Sequence, residues 1–273
     1  MRFDPNFRDD VVNESVWQRA MVDVLLPAPG HYGTLRVARE ALPAVPLYGQ
    51  QLTFSAPVPW TCLYEGDMLW MSDTPQERLM MVMGTTGMRG HILVAGGGLG
   101  LYPQFLRRYR PVERITVVER HVDVVALLHT TLETYENIEV IHASFEDFIR
   151  EPHIPPFDGC YIDIHSTIDP RWVPGINWLR DQCAHLVAGT LRVWGYQWMT
   201  RELVAGLERE YIPVLRRGSY YDDPLGRDLY RSLPSSWLHW SPARLRAWLL
   251  AYTHRVAWPL EQFHPLTSQA VPG

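Results

Sequence analysis

Three features of the chain combine residue types with a spacing that could do chemistry: a run of glycines and two carboxylates. In "HILVAGGGLGLYPQFL", residues 91 to 106, four of the five residues from Gly96 to Gly100 are glycine. Such a turn lets the backbone take φ > 0 and lets a ligand approach the main chain closely. A helix opening just beyond it offers unpaired N–H groups and a positive dipole end, so a nucleotide-like ligand is expected. Glu119 closes "RITVVE" and lies 19 residues after Gly100. A carboxylate there can accept from both hydroxyls of a ribose; the competing reading is an acid on a solvated strand end. Asp163 closes the apolar run of "FDGCYIDIH" at 157 to 165. At the mouth of a central strand it reads as a general base or an anchor for a substrate amine, against a structural cap for the following loop.

The spacing also excludes chemistries. A dinucleotide fingerprint starting at Gly96 needs glycine at its sixth position, where Leu101 stands. All 25 basic residues other than histidine are arginine, so a phosphate-cradling loop built on lysine and Schiff-base chemistry are both ruled out. No serine sits in a nucleophile-elbow sequence. Asp163, His165 and Asp169 have no standard zinc spacing, so no metal is expected. His165 reads as a second base or as a surface loop residue. Glu146 and Asp147 open a helix and favour its dipole. Trp194, Tyr196 and Trp198 in "WGYQWM" read equally as a pocket wall or as core.

The elements that must position these residues alternate from residue 91 onward. Strands are expected at "HILVAG", 114–119, 138–143, 157–165 and 190–198, with helices from 101, at 122–133, at 145–150 and near 174–187. Five strands separated by helices give an α/β fold with a doubly wound, mostly parallel Rossmann-like sheet. Ahead of it, "WTCLYEGDMLWMS" predicts a hairpin turning at Glu65-Gly66-Asp67. "DTPQERLMMVMGTTG" predicts a helix capped by Asp73 or Thr74, with Pro75 in its first position and Gly84 near its end. The remaining residues before 60 carry many prolines and only short apolar runs. After 200, "RELVAGLERE" reads as a helix, and "YIPVLRRGSYYDDPLGRDLYRSL" as a hairpin turning near Pro224 to Gly226. "SPARLRAWLLAYTHRV" reads as a helix capped by Ser241, and the tail as irregular. The chain thus divides into a small N-terminal hairpin and helix segment (1–88), the Rossmann-like domain (89–235) and a C-terminal helix and tail (236–273).

Charge and composition set the partners. Of the 273 residues 47% are hydrophobic and 20% charged, ordinary for a globular protein, and a net charge of −5 gives no reason to expect nucleic acid. The basic run "RRYRPVER" at 107–114 reads as a solvated helix end. No stretch of about 18 apolar residues and no apolar signal core at the N-terminus occur, so a cytoplasmic protein without a membrane partner is expected. Cys62, Cys160 and Cys183 read as reduced and mostly buried.

Over about residues 63 to 200, with a weaker echo to 235, the pattern resembles the class I S-adenosylmethionine-dependent methyltransferase fold, and within it the spermidine-synthase and guanidinoacetate-methyltransferase type. "ILVAGGGLG" is similar to the family's first motif, "ITVVE" to its ribose-binding strand, and "FDGCYIDIHS" to the strand that in aminopropyltransferases ends in the catalytic aspartate. The resemblance implies S-adenosylmethionine as cofactor, with Gly96, Gly97, Gly98 and Gly100 beside its methionine part and Glu119 on its ribose. Asp163 would orient or deprotonate an amine. "EGDMLWMSDTPQER" resembles the hairpin and helix that precede the fold, so Thr74 and Glu77 would shape the acceptor pocket together with His165 and Tyr196. Two departures stand out: Leu99 replaces the aspartate of GGGDG, and Ala143 replaces an acid after strand three, which leaves adenine to Ser144, the main chain or Glu146. The first favours methyl over aminopropyl transfer. The implied function is methyl transfer to a small, nitrogen-containing acceptor. The alternatives are aminopropyl transfer from decarboxylated S-adenosylmethionine and a non-catalytic relative of the fold. A homodimer is the base-rate expectation.

Overall fold

The computed structural model describes residues 14–47, 50–165 and 167–259. The described residues group into two compact units, one from residues 14–47, 50–165 and Cys183–Trp194, the other from Thr167–Gln182 and 195–259.

The first unit begins with α1 (Glu14–Ala20) and a four-stranded antiparallel sheet, β1 (Gly30–Tyr32), β2 (Leu35–Leu47), β3 (Gln50–Glu65) and β4 (Met68–Ser72), paired in that order. The expected hairpin is present: Glu65 pairs with Met68, and Gly66 takes φ 56 at its turn. The sheet is larger than the sequence suggested, because β2 and β3 form a long ribbon through a proline-rich stretch. The register jumps from Leu42 opposite Val58 to Ala44 opposite Thr53, which puts Pro43 and residues 54–57, Pro57 among them, in a bulge. Pro46 on β2 lies beyond the Leu35–Val37 stretch that pairs with β1, and Pro59 on β3 beyond the Cys62–Glu65 stretch that pairs with β4. On an edge, a missing N–H costs no ladder bond.

Next comes α2 (Pro75–Gly84), with Pro75 in its first turn and Thr74 at the N-cap as predicted, although the Thr74 side chain makes no capping bond. The helix start is held instead by a buried ion pair, Arg78 to Asp73 at 3.1 Å. Asp73 Oδ1 also accepts the Thr61 N–H at 2.6 Å, and Arg78 donates to the carbonyls of Ala20 (3.2 Å) and Val22 (2.8 Å). One guanidinium thus fixes α2 to β3 and to the chain leaving α1.

The central sheet follows: β5 (Gly90–Ala95), α3 (Leu101–Tyr109), β6 (Val112–Glu119), α4 (Val122–Leu132), β7 (Ile138–His142), α5 (Phe145–Phe148) and β8 (Phe157–Ile162). After α6 (Val173–Cys183), which groups mostly with the second unit, comes β9 (Val187–Val193). All neighbours are parallel, in the order β7-β6-β5-β8-β9. The chain starts at the centre, winds outward through β6 and β7, then returns to β8 and β9. This is the doubly wound α/β Rossmann-like arrangement, with its topological switch point between β5 and β8. Ile92, Leu93, Val94 and Ala95 are each 0% exposed, as a strand covered on both faces requires.

The second unit is helical: α6, α7 (Tyr196–Gly206), a π turn (Leu207–Tyr211), α8 (Ile212–Arg216), α9 (Pro224–Ser232) and α10 (Pro242–Thr253). Two expectations are corrected here. The fifth strand does not run to residue 198; it stops at Val193, and Gly195, at φ 64, caps α7, so Tyr196 and Trp198 are helical. Residues 211–233 form no hairpin. Gly218 (φ 78) follows α8, and the Asp223 side chain accepts the Gly226 N–H at 2.7 Å with Pro224 beside it, an N-cap with proline in the first turn. Ser241 caps α10 as expected, accepting from the Arg244 N–H at 3.3 Å. The tail from 260 lies outside the described residues. No helix among the described residues is long and apolar enough to cross a membrane.

Candidate active site

The C-terminal ends of β5, β6 and β8 bring together the glycine turn, Glu119 and Asp163, all within the first unit. Gly96, Gly98 and Gly100 take φ values of 87, 48 and 74, in the left-handed region that side chains rarely enter. The space beside each is filled by protein: a Cβ on Gly96 would strike the Asp163 carbonyl oxygen, one on Gly97 the Leu128 side chain, and one on Gly98 the Met71 sulfur. The glycines therefore let the turn nest against its neighbours. Gly100 is also the N-cap of α3 and brings no side-chain acceptor to that helix start.

Glu119 is 9% exposed and uses both oxygens. Oε2 accepts the Gly97 N–H at 2.9 Å and Oε1 accepts the His121 N–H at 2.8 Å. Each carboxylate oxygen has a second lone pair, so the group stays able to receive two further donors side by side, such as a vicinal diol. This is more than an acid on a solvated strand end: its orientation is set from two sides.

Asp163 is fixed by its own N–H, which donates to the Ala95 carbonyl at 2.8 Å across the switch point. Its carboxyl is half-buried, and burial together with the nearby Glu119 charge pushes its pKa up to about 7. Glu77, half-buried on α2, is pushed up to about 8, first by burial and then by Asp163. The Trp194 indole N–H is turned toward Glu77 without closing a full hydrogen bond, so it offsets only part of that rise. His165 is buried at 6% exposure, not a surface residue, and burial pushes its pKa down to about 4. Its Nε2 lies 3.2 Å from the Trp194 carbonyl, an acceptor, so Nε2 carries the hydrogen of a neutral ring.

The hairpin of β3 and β4 lies against the turns that follow β5 and β6. Met71 Sδ accepts the Leu99 N–H at 3.2 Å, and the Trp70 ring meets His121 edge-on at 5.2 Å. Glu65 Oε1 is 3.7 Å from His121 Nε2. Met71, Trp70 and His121 were not singled out in the sequence as site residues. The sequence signal that could have found Met71 and Trp70 is the hairpin segment "EGDMLWMSDTPQER", which contains both.

The other candidates are placed as follows. Thr74 is buried, its hydroxyl 3.0 Å from that of Ser72. Ser144 caps α5, accepting from the Asp147 N–H at 3.1 Å and donating to the Asp147 carboxylate at 2.7 Å; Glu146 and Asp147 occupy that helix's first turn. Tyr196 belongs to the second unit, where its hydroxyl donates to Asn177 (2.6 Å), accepts from Arg180 (2.9 Å) and lies 3.0 Å from His254. Asp169 is paired with Arg171. Among the described residues no group of three His, Cys, Asp or Glu side chains could hold a metal ion.

No protein-family model matches the chain, and no curated protein is significantly similar to it. Solved structures are. An O-methyltransferase from Bacillus cereus, solved with SAH, shares 17% identity over 40% of this chain and 49% of its own, with a TM-score of 0.32. The C-terminal domain of precorrin-6Y C5,15-methyltransferase from Rhodobacter capsulatus shares 14% identity over 52% and 73%, with a TM-score of 0.37. A methyltransferase from Geobacter sulfurreducens shares 14% over 42% and 56%, with a TM-score of 0.33. The match spans about half the length of the first and third of these proteins. Independently of these likenesses, strand order defines the fold: a doubly wound α/β protein whose glycine turn, Glu119 and Asp163 meet at its switch point.

Proposed function

We propose that the chain is an S-adenosylmethionine-dependent methyltransferase acting on a small, nitrogen-containing acceptor. The observation that carries this reading is Glu119, whose two oxygens are each held by one main-chain N–H and left able to accept a ribose diol beside the glycine turn. The residues fit the cofactor: Glu119 would hold the ribose, the Gly96–Gly100 backbone and the start of α3 would lie along the methionine part, and the β3–β4 hairpin would cover it. When bound, S-adenosylmethionine supplies a methyl group made electrophilic by its sulfonium. The demand on the protein is then modest. It must orient the acceptor, exclude water and receive a proton. Asp163, next to the glycine turn and with a carboxyl that titrates near neutrality, suits the last task. Ser144 remains a candidate for adenine through its second lone pair, and Thr74 and His165 for the pocket wall.

The test is product analysis. Incubation with S-adenosylmethionine and a panel of small amines should yield S-adenosylhomocysteine and a methylated amine. Methylthioadenosine formed from the decarboxylated cofactor would replace this reading with aminopropyl transfer, and failure to bind either cofactor would leave a non-catalytic relative of the fold.

A further inference from the structure

Between α1 and β2 the chain runs as a strap in which, over residues 23–34, only Pro27 is buried and Leu25 is 48% exposed. With so little apolar burial, its hold on the domain depends on hydrogen bonds, and two side chains supply them. Gln104, 6% exposed in the first turn of α3, meets both main-chain groups of Leu25. Its Oε1 accepts the Leu25 N–H and its Nε2 donates to the Leu25 carbonyl, each at 2.8 Å. The second Nε2 hydrogen goes to the Gly100 carbonyl at 3.0 Å, and the Tyr135 hydroxyl lies 3.4 Å from Oε1. Turning the amide over would set Nε2 against an N–H and Oε1 against two carbonyls, so its partners fix its orientation. At the other end of the strap Asp123, in the first turn of α4, accepts on Oδ2 both the N–H (2.8 Å) and the hydroxyl (3.0 Å) of Thr34. Gly33, at φ 61, permits that approach, since a Cβ there would strike the Asp123 carboxylate.

The two attachments belong to one closed circuit that runs through the candidate site. From Leu25 it passes by way of Gln104 to the Gly100 carbonyl, then from the Gly100 N–H to the Gly97 carbonyl at 2.8 Å, and from the Gly97 N–H to Glu119 Oε2 at 2.9 Å. The other Glu119 oxygen takes the His121 N–H at 2.8 Å, and His121 Nδ1 takes the Asp123 N–H at 3.2 Å. Asp123 then returns the circuit to the strap at Thr34. Gln104 spends both hydrogens and both lone pairs on protein groups, so it has no hydrogen-bonding position left for a ligand. Any influence it has on a ligand therefore passes through Gly100 and the strap.

We infer that Gln104 and Asp123 are positioning residues for the cofactor: through them the strap holds the glycine turn and the Glu119 carboxylate in register, so that strap closure and cofactor binding are coupled. This deepens the proposed function and rests on it for the word cofactor. A ligand that takes Glu119 and the turn in their closed arrangement tightens the strap, and by linkage a strap detached at either end weakens the ligand by the same factor.

The test combines calorimetric titration of the full chain with S-adenosylhomocysteine and amide hydrogen exchange read by mass spectrometry. Saturating ligand should slow exchange over residues 22–36. Gln104→Ala and Asp123→Ala should each speed that exchange in the free protein and weaken S-adenosylhomocysteine by at least about fivefold. The double variant should lose less than the product of the two factors, because either change opens the same circuit. Asp123→Asn keeps an acceptor for Thr34 and should recover most of the affinity, whereas Gln104→Glu, which has no donor for the two carbonyls, should not. Leu25→Pro, at an exposed side chain, removes one strap N–H while Gln104 keeps Gly100, and should weaken the ligand as well. Unchanged affinity in Leu25→Pro and Gln104→Ala despite faster strap exchange, or strap exchange indifferent to the ligand, would overturn the inference. Should the parent bind no S-adenosylhomocysteine, the cofactor reading falls, and the circuit is still read in the free protein. There Gln104→Ala should speed exchange at residues 119–124 as well as at 22–28; a change confined to 22–28 would overturn the circuit itself.

Discussion

The Gly97 N–H donates to Glu119 Oε2 at 2.9 Å, tying the turn after β5 to the end of β6. With the His121 N–H on the other oxygen, the carboxylate is oriented before any ligand arrives. Glu119→Gln keeps the volume but sets an NH₂ group against one of those two donors. Hydrogen bonds to a charged group contribute about 1.5–3 kcal/mol, so the variant should bind an adenosyl ligand about 10- to 100-fold more weakly. Equilibrium titration checks this, and a circular dichroism spectrum checks that the sheet is intact.

Gly96 and Gly206 should respond in opposite senses to alanine. At φ 87, with the Asp163 carbonyl oxygen where its Cβ would be, Gly96→Ala costs at least about 1–2 kcal/mol from the left-handed backbone alone, and the clash adds to that. Gly206, at φ −62 and ψ −46 at the end of α7, has nothing within 4 Å of an added Cβ. Gly206→Ala should therefore stabilise by about 0.4–1 kcal/mol. Urea unfolding of both variants reads the difference.

Removing one member of the buried Asp73–Arg78 pair leaves the other charged and unpaired. Arg78→Met should cost about 3–5 kcal/mol, and thermal unfolding should shift down by about 2–4 °C for each of these. The second variant, Asp73→Asn, leaves the guanidinium its carbonyl partners and should cost less.

The pH dependence of stability follows from three groups. Glu77 and Asp163 have pKa values raised in the folded state, so their stabilising contribution is complete below the ordinary carboxylate range, about pH 4, and is lost as pH rises through 7 and 8. His165 has a lowered one, so its contribution is complete above about pH 6.5 and is lost as pH falls toward 4. Glu77→Gln should therefore unfold at a higher temperature than the parent at pH 9, with the gap closing at pH 5. Equal gaps at the two pH values would show that Glu77 titrates normally.

Sequence and structure agree where local chemistry decides. The buried run Ile92–Ala95, the glycines that follow it, and acids closing β6 and β8 come together at the switch point, because side chains at strand ends in this topology face one crevice. Disagreement arises where one residue redirects the chain. Gly195 ends β9 early and takes Tyr196 into a helix, and "DDPLG", read as a turn between strands, is a capped helix start. The β2–β3 ribbon escaped notice because prolines that exclude a central strand are tolerated along an edge. Glu77 and Asp163, 86 positions apart, were both expected at the acceptor pocket, and the packing of Gly84 of α2 on Tyr161 of β8 is what brings their elements together.

The most direct test of the central claim is calorimetric titration of the parent protein and Glu119→Ala with S-adenosylmethionine, S-adenosylhomocysteine and decarboxylated S-adenosylmethionine. The two carboxylated ligands should bind the parent at least as tightly as the decarboxylated one, and Glu119→Ala should weaken all three by at least about tenfold. Parent protein that binds none of them, or a Glu119→Ala variant that binds all three unchanged, would contradict the placement of an adenosyl ribose at the end of β6.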